Sequence, residues 1–172
     1  MIRAEDIYKA TDNIVSKYKT RDPEEIAECL GISVFENEFE KLLGMYTSMD
    51  GHRIVIVNSL MSPEMRRMVL AHEIGHDILH RDAALGFKEF SMVCKTGTTE
   101  YEANAFCAHL LIPDEIFFES IEEGKTVDTI AAECEVDPNI VLIKGRELHK
   151  MGHDIKNCDI YDSCFFKTKA PF

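Results

Sequence analysis

Two histidines and a glutamate stand together in the run His-Glu-Ile-Gly-His at residues 72–76. Residues four apart on an α-helix lie on one face, one turn apart, so the imidazoles of His72 and His76 can reach the same metal ion. Glu73 lies one step round the helix from His72, where a carboxylate can take a proton from water that the metal activates. These residue types at this spacing form the HExxH pattern, which indicates metal-assisted hydrolysis.

A catalytic zinc site usually has a third protein ligand and one open position. The run from Glu100 to Pro113 is the obvious source, because it reads as a helix with carboxylates in its first turn. Glu100 and Asn104 share a helical face, so Glu100 can bind the metal while Asn104 supports a histidine ligand. Glu102 points roughly 200° away from Glu100 and is the reserve ligand. Either carboxylate could instead interact with the N-terminal end of the helix dipole.

Two further histidines extend these spacings. His80 continues the four-residue series of His72 and His76, and each step turns about 40° round the helix. His80 is therefore an alternative ligand, although an interaction with the C-terminus of the helix also accounts for it. His109 lies nine residues after Glu100 on the same side of the helix, where it either approaches the site or lies on the surface.

The helices that must position these groups have clear boundaries. Ser62-Pro63-Glu64 combines a cap, a proline and an acid in the first turn, which predicts a helix over residues 62–80. Gly75 lowers its helix propensity by about 1 kcal/mol relative to alanine, so we expect backbone or substrate to come close there. A second helix is predicted over residues 99–111, ended by Pro113.

The remaining patterns predict an α+β fold, a compact and mainly helical core with a small antiparallel sheet. Asp50-Gly51 between β-prone runs predicts a hairpin. We assign residues 1–153 to a single domain and residues 154–172 to a C-terminal tail of unknown role, and we read residues 82–98 as a loop. The domain comprises N-terminal helices over 4–30, the sheet over 32–58, the two helices described above, and C-terminal helices over 114–151.

Composition narrows the class of protein. The chain has 172 residues, and its formal net charge is −12, with 31 acidic and 19 basic residues, so its overall field disfavours nucleic acid. No signal peptide or apolar run long enough to cross a membrane is apparent. The six cysteines show no CxxC pair and read as reduced thiols. We therefore expect a cytoplasmic protein that binds neither membranes nor nucleic acid directly.

Three segments together resemble the ImmA/IrrE family of zinc metallopeptidases. They are Ile-Val-Ile-Val-Asn at residues 54–58, Met-Arg-Arg-Met-Val-Leu-Ala-His-Glu-Ile-Gly-His-Asp-Ile-Leu-His at 65–80, and Glu-Tyr-Glu-Ala-Asn-Ala-Phe-Cys-Ala-His-Leu-Leu-Ile-Pro at 100–113. Leu-Gly-Ile-Ser-Val at 30–34 also resembles the N-terminal region of the family. The resemblance covers most of residues 23–150, and the combination is far more specific than HExxH alone.

The resemblance implies a thermolysin-like core that holds one zinc ion per chain. It implies His72, His76 and Glu100 as ligands and Glu73 as the general base. It also implies a protein substrate, because members of the family typically cleave or inactivate a helix-turn-helix repressor encoded nearby. Cleavage would relieve repression of phage, mobile-element or stress genes.

Several other residues are candidates by type alone. Donors that could stabilise the oxyanion of a tetrahedral intermediate are Tyr46, His149, His153 and Tyr161. A second zinc site at unusual spacing could use His149, His153, Cys158 and Cys164. Cys107 stands where the family more often has alanine; it reads as a small buried residue, with the alternative that a thiol close to zinc perturbs the choice of ligands.

Two functions of other classes compete with hydrolysis. The first is a non-proteolytic antirepressor that inactivates a repressor by contact, and Glu73 argues against it because a structural metal site needs no such carboxylate. The second is a DNA-binding regulator, suggested by segments that resemble helix–turn–helix motifs at residues 23–34 and 126–151. A predicted strand follows the segment at 23–34, and the acidic chain disfavours both.

Overall fold

The computed structural model describes residues 1–81 and 97–155. Within them the helices and strands, in chain order, are α1 Ala4–Tyr18, α2 Pro23–Leu30, β1 Ile32–Asn37, β2 Gly44–Met49, β3 His52–Asn58, α3 Pro63–His80, α4 Thr98–Leu111, α5 Asp114–Glu122, α6 Val127–Glu133 and α7 Pro138–Lys150. The predicted α+β class, mainly helical with one small sheet, is confirmed. The predicted loop at 82–98 and tail at 154–172 fall mostly outside the described residues. No helix in the described ranges is long and apolar enough to span a bilayer.

The helix boundaries follow from local capping chemistry. Asp22, Ser62 and Asp137 each accept hydrogen bonds from backbone N–H groups in the first turn of α2, α3 and α7. In each case a proline follows at the first helical position, where its missing N–H costs nothing. These caps depend only on neighbouring residues, which is why the predicted start of the helix at Ser62 agrees with the structure.

The sheet differs from the prediction in one pairing. β2 and β3 form the expected antiparallel hairpin around Asp50 and Gly51, which both have positive φ angles of 51° and 80°. β1, however, pairs with β3 in parallel, so the strand order is β1-β3-β2 and the sheet is mixed rather than antiparallel. The hairpin occupies one edge of β3, and β1 takes the free edge in the same direction as β3.

A buried asparagine fixes the connection between β1 and β2. The side chain of Asn58 is fully buried at the end of β3. Its amide nitrogen donates to the carbonyl oxygens of Phe39 at 2.8 Å and Leu42 at 2.9 Å. Asn58 thereby satisfies the backbone of the connecting loop and holds the chain on its path across the sheet.

The core lies between the sheet and two layers of helices. α3 packs on the sheet face that carries Val55 and Val57, and α4 packs on the other side of α3. α1 and α7 cover α4, which is buried from Glu102 to Leu111. α4 is thus the central helix of the described structure, and one end of it faces the two histidines of α3.

A glycine allows the two central helices to approach closely. A methyl group at Gly75 would lie 3.2 Å from both Cα and the carbonyl oxygen of Ala103, and 3.2 Å from Cβ of Phe106. The backbone that comes close to Gly75 is that of α4. Burial of the α3–α4 contact offsets the loss of helix propensity that glycine causes.

Candidate metal centre

His72 and His76 project from the same face of α3 towards the N-terminal half of α4. Their Nε2 atoms are 3.1 Å apart, and their rings meet nearly edge to face with centroids 4.7 Å apart. The side chains are largely buried, with 8% and 16% of their surface exposed. The one-turn spacing therefore brings the two imidazoles together in the folded protein, as the sequence predicted.

Glu100, in the first turn of α4, completes the group. Its Oε2 atom lies 3.6 Å from Nε2 of His72, and its Oε1 atom lies 3.6 Å from Nε2 of His76. One potential ligand atom from each of the three residues falls within 4.8 Å of the others. Across residues 1–81 and 97–155, this is the one group of three histidine, cysteine or acidic side chains so arranged.

The spacing of these atoms fits a zinc ion. Zinc binds imidazole nitrogen and carboxylate oxygen at about 2.0–2.2 Å, so neighbouring ligands in a tetrahedral site stand about 3.3 Å apart. The observed separations of 3.1, 3.6 and 3.6 Å lie on both sides of that value. Two imidazoles and one carboxylate also match the donor set of catalytic zinc sites, which leave a fourth position open.

The electrostatics of the group also favour a cation. Burial lowers the pKa of His72, but the nearby carboxylate of Glu100 and the charge of Glu73 outweigh it and raise that pKa above its usual value. Two carboxylates therefore draw positive charge into a largely buried space. A divalent ion would supply that charge in place of a proton.

Glu73 lies beside the group and is not one of its members. The side chain is only 7% exposed. Burial, opposed by the charge of His72, raises the pKa of Glu73 to about 7, and the Glu100 charge adds to the rise while the Tyr46 backbone N–H lowers it. A carboxyl group with a pKa near neutrality can both accept and return a proton at physiological pH, as general acid–base catalysis requires.

Comparison with known proteins places the arrangement in a family. Residues 27–144 match the family model Peptidase_M78, described as the IrrE N-terminal-like domain. The chain belongs to this family. The predicted ImmA/IrrE relationship is thereby confirmed, and the M78 name marks a family of metallopeptidases.

Two relatives show how much of this chain is similar to known proteins. Uncharacterized immunity region protein 2 of Bacillus phage phi105 is 30% identical over 139 residues, which are 80% of this chain and 88% of the phage protein. The radiation response metalloprotease IrrE of Deinococcus radiodurans is 29% identical over 99 residues, which are 53% of this chain and 30% of IrrE. This M78 chain thus matches most of the phage protein but a minor part of IrrE.

Asn104 occupies the supporting position that the sequence suggested. Its Oδ1 atom lies 2.7 Å from Nδ1 of His72, so Nδ1 carries the proton and Nε2 presents its lone pair to the Glu100 side. Asn104 is itself only 2% exposed, which holds the amide in place. The hydrogen bond selects the tautomer and ring orientation that a metal ligand needs.

We expect Asn104→Ala to weaken zinc binding by about 10- to 100-fold, because the orientation of His72 would no longer be fixed. Competition against a chromophoric chelator measures the affinity. Asn13→Ala removes the same group from an exposed position on α1 and should bind zinc as the wild type does. Equal affinities in the two variants would contradict the supporting role.

The two reserve ligands interact with each other, outside the metal-binding group. Oε2 of Glu102 lies 3.2 Å from Nε2 of His80, and Oε1 of Glu102 accepts a hydrogen bond from the Ile2 N–H at 2.5 Å. Glu102 is 2% exposed on the side of α4 that meets the N-terminal segment. The His80 ring lies 5.9 Å from that of His76, but the group of three converging ligand atoms contains Glu100, and neither Glu102 nor His80.

None of the described oxyanion candidates is directed at the group. The Tyr46 hydroxyl donates to Asp77 at 2.6 Å, His149 is exposed, and the His153 ring lies 5.2 Å from that of Phe118. Tyr161, and the Cys158 and Cys164 of the suggested second zinc site, lie outside the described residues. Cys107 is fully buried with Sγ 3.6 Å from the Met68 carbonyl oxygen, and burial raises the pKa of its thiol.

The sequence did not single out Gly44 or Asp77, and it offered Tyr46 only as an oxyanion donor. Gly44 and Tyr46 belong to β2, the strand beside Glu73, and Asp77 holds that strand through the Tyr46 hydroxyl. Asp77 did carry a signal, since an acid directly after His76 on a helix with few exposed positions requires partners. Gly44 and Tyr46 carried none, because their importance depends on which strand packs against α3.

His109 is buried at the opposite end of α4 from the metal-binding group. Its Nδ1 accepts a hydrogen bond from Lys144 Nζ at 3.1 Å, and the Tyr8 ring packs edge-on at 5.2 Å. Lys144, which is 1% exposed, also donates to Asp114. Burial, together with the nearby charge of Lys144, lowers the pKa of His109 to about 3.

This neutral histidine should make the protein acid-sensitive. The unfolded chain protonates His109 below a pH of about 6.5, whereas the folded protein excludes that proton until about pH 3, so stability falls as the pH falls between them. Between pH 6.5 and about pH 4.5, we expect the unfolding free energy of His109→Gln to fall by about 2–3 kcal/mol less than that of the wild type. Denaturant unfolding at both pH values measures the difference, and parallel losses would contradict it.

Proposed function

We propose that the protein is a zinc-dependent endopeptidase that hydrolyses a protein substrate. The observation that carries the proposal is the convergence of His72, His76 and Glu100 on one point, with the Glu73 carboxyl group beside them. Membership of a metallopeptidase family supports the reaction class. His72, His76 and Glu100 would hold one zinc ion, and Glu73 would act as the general base.

A zinc ion held there supplies a Lewis acid that polarises the scissile carbonyl group and activates water. The chain contributes the proton transfers. Glu73 would accept a proton from the attacking water and later donate it to the leaving amine, and its buried place beside the histidines suits it to that role. Asn104 accepts the Nδ1 proton of His72 at 2.7 Å and so orients the ring with Nε2 towards the proposed ion. The buried surroundings strengthen each of these electrostatic interactions.

The substrate we propose is a helix-turn-helix transcriptional repressor, whose cleavage would relieve repression of phage, mobile-element or stress genes in the cytoplasm. Two findings support this class: the resemblance to the ImmA/IrrE family, and the relative named as an immunity region protein of a phage. In this proposal the chain itself does not bind DNA directly. In the helix–turn–helix-like segment at 126–151, Lys144 is buried and Lys150 pairs with Glu147 at 2.6 Å.

Incubation of the zinc-loaded protein with the repressor encoded beside it tests the proposal, with mass spectrometry of the products. A discrete cut that a zinc chelator abolishes and added zinc restores would support the endopeptidase. A stable complex without a cut would favour the contact antirepressor instead. Neither a cut nor a complex would contradict the proposed substrate.

A further inference from the structure

Asp77 is a fully buried carboxylate that the proposed reaction does not use. It follows His76 on α3 but faces the sheet, with 0% of its surface exposed. Oδ2 contacts Arg53 and Arg81, each at 3.0 Å, and Oδ1 accepts from the Tyr46 hydroxyl at 2.6 Å. The two arginines already balance the charge of Asp77. The Tyr46 hydroxyl adds no charge, and what it adds is a directional link between α3 and β2.

The other end of Tyr46 faces the general base. Just before β2, the Leu43 carbonyl oxygen accepts a hydrogen bond from the Asn58 N–H at 2.8 Å. Because the hydrogen-bonding direction of successive residues alternates along an antiparallel pair, the backbone N–H and C=O groups of Gly44 and Tyr46 point to the free edge of the strand. The Tyr46 backbone on that edge lies near the Glu73 carboxylate. Tyr46 is thus bonded to α3 through its hydroxyl, while its backbone passes beside the general base.

The contact between β2 and Glu73 is close. A methyl group at Gly44 would lie 2.5 Å from Cγ1 of Val69 and 3.3 Å from Oε1 of Glu73. The strand therefore lies directly against the side chain whose position decides proton transfer. A shift of β2 away from α3 would give the Glu73 carboxyl group room to take other rotamers.

We propose that the hydrogen bond between Tyr46 and Asp77 positions Glu73, by holding β2 against α3 at the point where the strand confines the Glu73 carboxylate. Tyr46 and Asp77 are then positioning residues that touch neither substrate nor metal. The inference rests on the proposed hydrolytic function for its kinetic consequence, but the placement of Glu73 can be measured without turnover.

The variant Tyr46→Phe removes the hydroxyl and keeps the ring in the core. A misplacement of a catalytic group by about 1 Å can reduce the rate about 100-fold. We therefore expect kcat for repressor cleavage to fall about 10- to 100-fold, with KM and zinc affinity nearly unchanged. Loss of a merely structural bond would lower stability without this separation of kcat from KM.

Tyr8→Phe provides a matched control. The Tyr8 hydroxyl also donates to an aspartate, Asp114, at 2.8 Å, and the pKa values of both tyrosines are raised to about 12. The same atom is thus removed from a similar bond between α1 and α5. Tyr8→Phe should lose unfolding free energy but retain the wild-type kcat.

A second readout follows Glu73 itself. In zinc-loaded protein with ¹³C-labelled glutamate carboxyl groups, Glu73→Gln identifies the Glu73 resonance by its absence. We expect that resonance to move in Tyr46→Phe and to stay in place in Tyr8→Phe. An unmoved resonance in Tyr46→Phe, or equal losses of kcat in the two variants, would overturn the positioning role. If the wild type cleaves nothing, the proposed function fails, while the resonance still decides whether Tyr46 positions Glu73.

Discussion

Glu73→Gln should bind zinc as tightly as the wild type and cleave its substrate at least about 100-fold, and up to about 10⁴-fold, more slowly. The substitution keeps the size of the side chain and its place beside the histidines, but an amide cannot accept the proton from water. Because Glu73 is no member of the metal-binding group, the three candidate ligands remain intact. Single-turnover cleavage of the repressor at neutral pH, with zinc content determined in the same samples, measures both effects.

The cleavage rate and the zinc content have to be interpreted together. Loss of cleavage with full zinc content assigns proton transfer to Glu73. Loss of zinc together with cleavage would show that Glu73 supports the metal site, and cleavage at the wild-type rate would refute its role as the base. Glu64→Gln serves as a control, since Glu64 is an exposed acid in the first turn of the same helix.

The second large effect concerns the third ligand. We expect Glu100→Gln to weaken zinc binding by more than about 100-fold, because loss of groups that merely support a ligand already costs about 10- to 100-fold. The Glu100 oxygens lie 3.6 Å from Nε2 of both histidines, close enough for this carboxylate and the two imidazoles to share one ion. Isothermal titration or chelator competition on the zinc-free protein gives the affinity.

Glu102→Gln makes the same change two residues further along α4. Its carboxylate pairs with His80 and with the N–H of Ile2, so this variant should bind zinc as the wild type does. A large loss of affinity in Glu102→Gln, with little loss in Glu100→Gln, would reverse the assignment. Circular dichroism of both proteins excludes unfolding as the cause of a lost affinity.

The two histidines could be predicted from sequence because their relationship is local. A helix with a clear start places residues four apart on one face whatever surrounds it, and the structure puts the Nε2 atoms of His72 and His76 3.1 Å apart. The choice between Glu100 and Glu102 was harder, since it depends on how α4 is rotated against α3. Helix geometry gave the two directions, the face shared by Glu100 and Asn104 favoured Glu100, and the resemblance to a family agreed with that choice.

Longer-range relationships were beyond the sequence pattern. The parallel pairing of β1 with β3 joins segments about twenty residues apart along the chain, and β propensity specifies neither direction nor partner. His109 was placed by helical periodicity on the side of Glu100, but its distance along α4 puts it among Tyr8, Asp114 and Lys144. Contacts between α1, α5 and α7 decide that environment, and they arise only when the helices pack.

Gly75 connects the packing of the core with ion selectivity. Because Gly75 has no side chain, α3 packs directly against Ala103 and Phe106 of α4, three and six residues after Glu100. The separation of the two helices therefore sets the distance between the carboxylate and the two imidazoles. Ions differ in radius and preferred geometry, so a change in this aliphatic contact alters which metal fits best. In this protein, a substitution at the helix crossing is therefore expected to change the preferred ion while His72, His76 and Glu100 stay the same.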